Sequence, residues 1–112
     1  MRIEKDIGIT ESLTIFDATM PPGKGVLDPI TIIMRDFGGS GQIIVECYGA
    51  AWSHWFGAIG NRSLRKFISE VDKHYLSGKL VCTTIRSDKK RERDYVMHIA
   101  DAIIDAMKAN TQ

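Results

Sequence analysis

The residues best equipped for chemistry lie between positions 39 and 62, GSGQIIVECYGAAWSHWFGAIGNR. An alternating apolar run leads into Tyr48, Trp52, Trp55 and Phe56, and both tryptophans of the chain fall within these few positions. Large aromatics dominate cores and interfaces alike. The run is therefore either packing between a sheet and the next helix, a protein-binding patch in which Trp and Tyr are favoured, or a stacking platform for nucleotides or single strands. If residues 50–56 are helical, Trp52, Trp55 and Phe56 share a side; if they are a strand, Trp52 and Trp55 point to opposite faces. A second concentration of chemistry is basic: Arg86, Lys89, Lys90, Arg91 and Arg93. It sits where a long helix begins, although a helix N-terminus prefers anions. It is either a solvated helix entrance, interspersed with Asp88, Glu92 and Asp94, or a surface for an acidic protein or a phosphate backbone.

The remaining reactive residues do not assemble into a known pattern. His54, His74 and His98 have no metal-ligand spacing, and neither Cys47 nor Cys82 belongs to a Cys-x-x-Cys or Cys-x-x-His motif. No metal and no cofactor are expected. Pro22-Gly23-Lys24-Gly25 lacks the spacing and the Ser or Thr of a phosphate-binding loop. Gly60, Asn61 and Arg62 precede a helix start, where backbone donors and an arginine can hold an anion; a plain strand-to-helix turn explains them as well. Asp17, Asp28, Asp36 and Glu46 form no acid/base pair. The reading is therefore of a protein that is not an enzyme.

The elements that must position these residues follow from periodicity. Residues 2–9 and 13–16 each read as a short strand, with Gly8 weakening the first. Residues 30–36 are a strong strand, with Ile30, Ile32 and Met34 on one face and Thr31, Ile33 and Arg35 on the other. The turn signal Gly38-Gly39-Ser40-Gly41 returns the chain into residues 42–48, with Ile43, Val45 and Cys47 on one face, which makes a hairpin. Asn61 and Ser63 are N-cap candidates ahead of Leu64, Phe67, Ile68 and Val71, spaced for one helix face. Asp72 caps a short helix over 73–80. Residues 88–110 are the clearest helix, with Val96, Ile99, Ala100, Ile103, Ala106 and Met107 as its apolar stripe. Strands first and helices last predict an α+β fold: an antiparallel sheet of three to four strands, then two or three helices packed on one face, as a single domain over 1–112.

The net charge is +1, distributed unevenly: residues 1–60 hold 4 basic and 7 acidic side chains, residues 61–112 hold 11 and 7. An overall charge near neutrality is not that of a dedicated nucleic-acid binder. No 18-residue apolar run and no secretory leader stand out, and the two cysteines read as reduced thiols of a cytosolic protein without membrane contact.

One further reading comes from Leu27-Asp28-Pro29-Ile30-Thr31, Gly39-Ser40-Gly41-Gln42-Ile43, Glu46-Cys47-Tyr48-Gly49, Ala51-Trp52-Ser53, Trp55-Phe56-Gly57-Ala58, Gly60, Asp72, Tyr75-Leu76 and Lys79-Leu80. Together they resemble a family of small proteins encoded by proteobacterial phages and prophages. The Cys-Tyr-Gly-x-Ala-Trp core is its most distinctive part, and the likeness covers about half of the chain. The resemblance implies a setting: a phage accessory protein in the cytoplasm of the bacterial host, with no catalytic residues to carry over. Its expected partner is a host protein or protein complex, a bacterial antiviral defence complex included. The alternative is a nucleic-acid or nucleotide binder that uses the basic residues at 86–93 and the aromatics at 48–56.

Overall fold

The fold begins with two tight reversals that only certain residues permit. In the computed structural model, which describes residues 1–5, 7–19, 25–81 and 89–110, Gly38 and Gly39 sit at φ 73° and 83°. Phe37 N–H donates to the Ser40 carbonyl across them at 2.9 Å. Positive φ at both central residues is the hairpin turn that matches strand twist, and glycine adopts it without a Cβ penalty. It joins β2 (Ile30–Asp36) to β3 (Gly41–Cys47). A second such turn, Tyr48 at φ 52° and Gly49 at φ 77°, joins β3 to β4 (Ala50–Phe56). The ambiguous run after Gly49 is thus a strand. β1 (Ile9–Ile15) completes an antiparallel sheet of order β1-β2-β3-β4.

The N-terminal expectation needs correcting. One strand, Ile9–Ile15, replaces the two short strands expected over 2–9 and 13–16. Its partner decides this: β1 pairs from Ile9↔Asp36 to Ile15↔Ile30, and β2 turns away beyond Asp36, so residues further upstream have no ladder to join. The polar Thr10, Glu11 and Ser12 are tolerated inside the strand because they remain exposed.

Three helices follow: α1 (Leu64–Glu70), α2 (Lys73–Val81) and α3 (Lys89–Asn110). Ser63 caps α1, its Oγ accepting from Lys66 N–H at 3.1 Å. Asp72 caps α2, its Oδ1 accepting from Tyr75 N–H at 2.8 Å. Both satisfy backbone donors that a helix start otherwise leaves unpaired. Pleat alternation sends Ile30, Ile32, Met34, Ile43, Val45 and Cys47 to one face of the sheet, where all are buried. Against them lie Leu64 and Ile68 of α1, Leu76 and Leu80 of α2, and Val96, Ile99, Ile103 and Met107 of α3. Burial of each such aliphatic chain is worth about 1.5–3 kcal/mol. Asp94, Asp101, Asp105 and Lys108 take the wet side of α3. The result is the expected α+β arrangement, a four-stranded antiparallel sheet followed by three helices on one face. Among the described residues no helix packs on the opposite face of the sheet.

Candidate functional site

Because residues 50–56 form a strand, the aromatic run is divided between the two faces of the sheet. Trp52 pairs with Val45 and Phe56 with Gly41, on the helix side, where they are only 3% and 5% exposed. Trp52 Nε1 donates to Glu92 Oε2 of α3 at 2.9 Å. Phe56 packs among His54, Phe67 and Tyr75, with ring centroids 4.8, 5.2 and 6.5 Å away. These two aromatics therefore have no surface to offer a partner. Trp55 points the other way and is 51% exposed.

Trp55 does not stand alone on the open face. Its ring lies 5.7 Å from that of Phe37, and the Arg35 guanidinium sits 5.1 Å over the Phe37 ring. Arg35 Nη1 in turn donates to Gln42 Oε1. Strand register explains the grouping, because Thr10, Arg35, Gln42 and Trp55 form one row across the four strands. The next row is Ser12, Ile33, Ile44 and Ser53, in which the two isoleucines are partly buried. Trp55, Phe37, Ile33 and Ile44 thus make an apolar strip bordered by Arg35, Gln42, Glu46 and hydroxyl side chains. A pre-packed aromatic pair with an overlying guanidinium loses little side-chain freedom on binding, which favours protein recognition.

The basic residues lie elsewhere. Arg86 is outside the described residues, Lys89 begins α3, and Lys90, Arg91 and Arg93 are exposed on its first turns. Among them Glu92 is 7% exposed, not part of a solvated entrance as its neighbours led one to expect. Glu92, Val96, Ile99 and Ile103 are spaced i, i+4, i+7 and i+11, so Glu92 continues the buried stripe by one turn. That spacing was the signal that sequence reading passed over. The basic end of α3 does reach the aromatic run, but it does so at Trp52, which it covers. Trp55 and α3 flank opposite faces of the sheet.

Next to Gly60, Asn61 and Arg62, the first backbone N–H of α1 is taken by the protein's own carboxylate. Asp36 Oδ2 accepts from Leu64 N–H at 2.9 Å, and Oδ1 from Gly38 N–H at 3.0 Å. Arg62 donates to the Ile59 carbonyl at 3.1 Å, pairs with Glu70 at 3.7 Å and covers the Phe67 ring at 4.8 Å. Asp36 thus ties the β2–β3 turn to the start of α1, a link across 28 positions that no local motif announces.

The nucleophiles and bases have structural surroundings. Cys47 is a free buried thiol. Its Sγ lies 3.3 Å from the Tyr95 hydroxyl and 3.6 Å from the Asp28 carbonyl. Burial pushes the thiol pKa up, against the lowering effect of the Tyr95 hydrogen bond. Cys82 lies outside the described residues. Burial, then the Lys79 charge, lowers the pKa of His54. Among the described residues no group of three His, Cys, Asp or Glu side chains is placed to hold a metal ion. None of the helices among those residues is long and apolar enough to cross a membrane.

Residues 1–111 match the model of a family described as a Phage family. No curated protein and no solved structure matches the chain.

Proposed function

Because the chain belongs to a phage protein family, we propose that it is a non-enzymatic accessory protein that binds a host protein through the open face of its sheet. The observation that carries this reading is the Trp55–Phe37–Arg35 group, half-exposed and pre-packed on the face that the helices leave uncovered. Trp, Tyr and Arg are the residues enriched where binding energy concentrates. The twelve open-face positions of the four strands include no histidine or cysteine and only one carboxylate, Glu46, so the face carries no acid/base or nucleophilic pair. Its single cation, Arg35, is offset by Glu46, which disfavours a phosphate backbone as the ligand. On this reading the host is a proteobacterium, the place of action its cytoplasm, and the target class host machinery, antiviral complexes included.

The test is to capture the partner from host lysate on the immobilised protein and then measure its affinity for variants. Trp55→Ala should weaken binding by 2 kcal/mol or more, about 30-fold. A combined Lys90→Ala, Arg91→Ala and Arg93→Ala variant should bind like wild type. If Trp55→Ala leaves affinity unchanged, the open face is not the binding surface. If the α3 variant loses binding, salt weakens it steeply and nucleic acid competes, the nucleic-acid reading replaces this one.

A further inference from the structure

Among the described residues the sheet ends on β1, which pairs with β2 on one side only. The direction of its unpaired backbone groups follows from the β2–β3 turn. Phe37 and Ser40 are hydrogen-bonded, and antiparallel ladders alternate bonded and non-bonded pairs. Arg35, Ile33 and Thr31 therefore bond toward β3, and Asp36, Met34, Ile32 and Ile30 bond toward Ile9, Glu11, Leu13 and Ile15. The N–H and C=O groups of Thr10, Ser12 and Thr14 are left pointing outward. Proteins commonly guard such an edge with Pro, Lys or a bulge. The strand ITESLTI contains neither Pro nor Lys and pairs with β2 without interruption over all 7 residues. Its one charge, Glu11, is tied to Arg65 at 3.0 and 3.1 Å.

Exposed apolar side chains also cluster in the sequence around β1. Of the nine exposed large apolar side chains among the described residues, six (Met1, Ile3, Ile7, Ile9, Phe16 and Val26) belong to the first 26 positions. The opposite edge strand, β4, has only Trp55 of this group.

The strand is also nearly a palindrome, and this identifies the occupant. We propose that β1 pairs antiparallel with β1 of a second copy of this chain, about a two-fold axis through Ser12. In that register Ile9 faces Ile15, Thr10 faces Thr14 and Ser12 faces Ser12. Glu11 faces Leu13, so no like charges meet. The bonded pairs are Thr10–Thr14 and Ser12–Ser12, whose backbone groups point outward in each copy. β-branched and hydroxyl cross-strand pairs of this kind are favourable. One residue past the strand, Phe16 of each copy lies across from Gly8 of the other. Opposed residues in an antiparallel pair share a face, so the two helix layers lie on the same side and the two open faces join into one eight-stranded surface. An isologous two-fold contact closes on itself, whereas β1 against β4 would propagate.

The inference rests on the edge strand and is independent of the Trp55 surface. Light scattering and sedimentation of the purified chain should give twice the 12.5 kDa protomer mass. Ser12→Pro removes an outward N–H at no cost to the β1–β2 ladder, and Ser12→Lys sets two ammonium groups face to face. Each variant should remain folded by circular dichroism and return to the protomer mass. Hydrogen exchange of the wild type supplies a measurement that needs no variant. The Thr10, Ser12 and Thr14 amides should be protected at high protein concentration and lose protection on dilution. A wild type that stays monomeric, a dimer that survives both substitutions, or edge amides that exchange alike at all concentrations each overturns the proposal.

Discussion

Trp52 carries one N–H, and burying it obliges the fold to supply an acceptor; Glu92 is that acceptor, at 2.9 Å. Tyr95, whose ring centroid lies 6.2 Å from that of Trp52, makes a second, part-buried polar contact with the Cys47 thiol, at 3.3 Å. Burial raises the pKa of both groups; their hydrogen bond raises Tyr95 further and partly offsets the rise of Cys47. Both shifts have the same sign, which fixes what these two groups contribute to the pH dependence of stability. The unfolded chain releases the Cys47 proton near its ordinary value of 9.0 and the Tyr95 proton near 10.0, whereas the native state holds both to higher pH. Stability supplied by these protonated groups is full below about pH 9 and is lost as pH rises through the native values. The urea midpoint should accordingly fall between about pH 9 and pH 10.5, and Cys47→Ala should show a shallower fall. A wild-type midpoint that holds or rises across that interval would contradict the assignment. Cys47 was legible in the sequence as a buried strand thiol; its partner Tyr95 was not, because 48 positions separate the two and only tertiary packing joins them.

The elements were more legible than their contacts, for a physical reason. The period-two alternation at 30–36 and 42–48 and the apolar stripe of α3 are local properties, so strand and helix faces followed from residue order. The run at 50–56 did not settle itself, because its apolar spacing fits a helix or a strand; pairing with β3 from Cys47↔Ala50 to Gly41↔Phe56 decides it. The turn that makes this pairing possible is unusual. Tyr48 is held at φ 52°, a left-handed conformation that costs an L-residue with a bulky side chain about 1–2 kcal/mol. Asn is preferred at that turn position. Tyr48 is 82% exposed, so its ring gives little packing in return. Tyr48→Asn should therefore stabilise the protein by about 1 kcal/mol, an increase in melting temperature of about 4 °C or more. A calorimetric midpoint at or below that of wild type would mean the tyrosine ring makes a compensating contact.

At the scale of the molecule, the sheet has two faces with different surroundings. One is closed by α1, α2 and α3; the other carries Trp55, Phe37, Ile33 and Ile44 into solvent. The Trp55 strip escaped sequence reading because it is a property of register: Phe37 belongs to a turn, Arg35 to β2 and Trp55 to β4, and they meet only when three strands align. The two tryptophans, three positions apart, report on the two faces independently. Trp52→Ala opens a cavity under α3 and leaves the Glu92 carboxylate buried without its indole donor, so it should cost about 3–5 kcal/mol, a large share of the stability of a domain this size. Trp55→Ala removes a half-exposed ring and its contact with Phe37, a loss of about 1 kcal/mol. Denaturation of the two variants measures this difference directly, and fluorescence adds a check on the wild type. Acrylamide should quench one of two emitting populations, and Trp55→Ala should remove that population while leaving a blue-shifted, protected emission from Trp52. Equal destabilisation of the two variants, or a quenchable Trp52 in folded Trp55→Ala, would show that the helices do not seal their face. The open strip could then no longer be told apart from the core as the place where a partner binds.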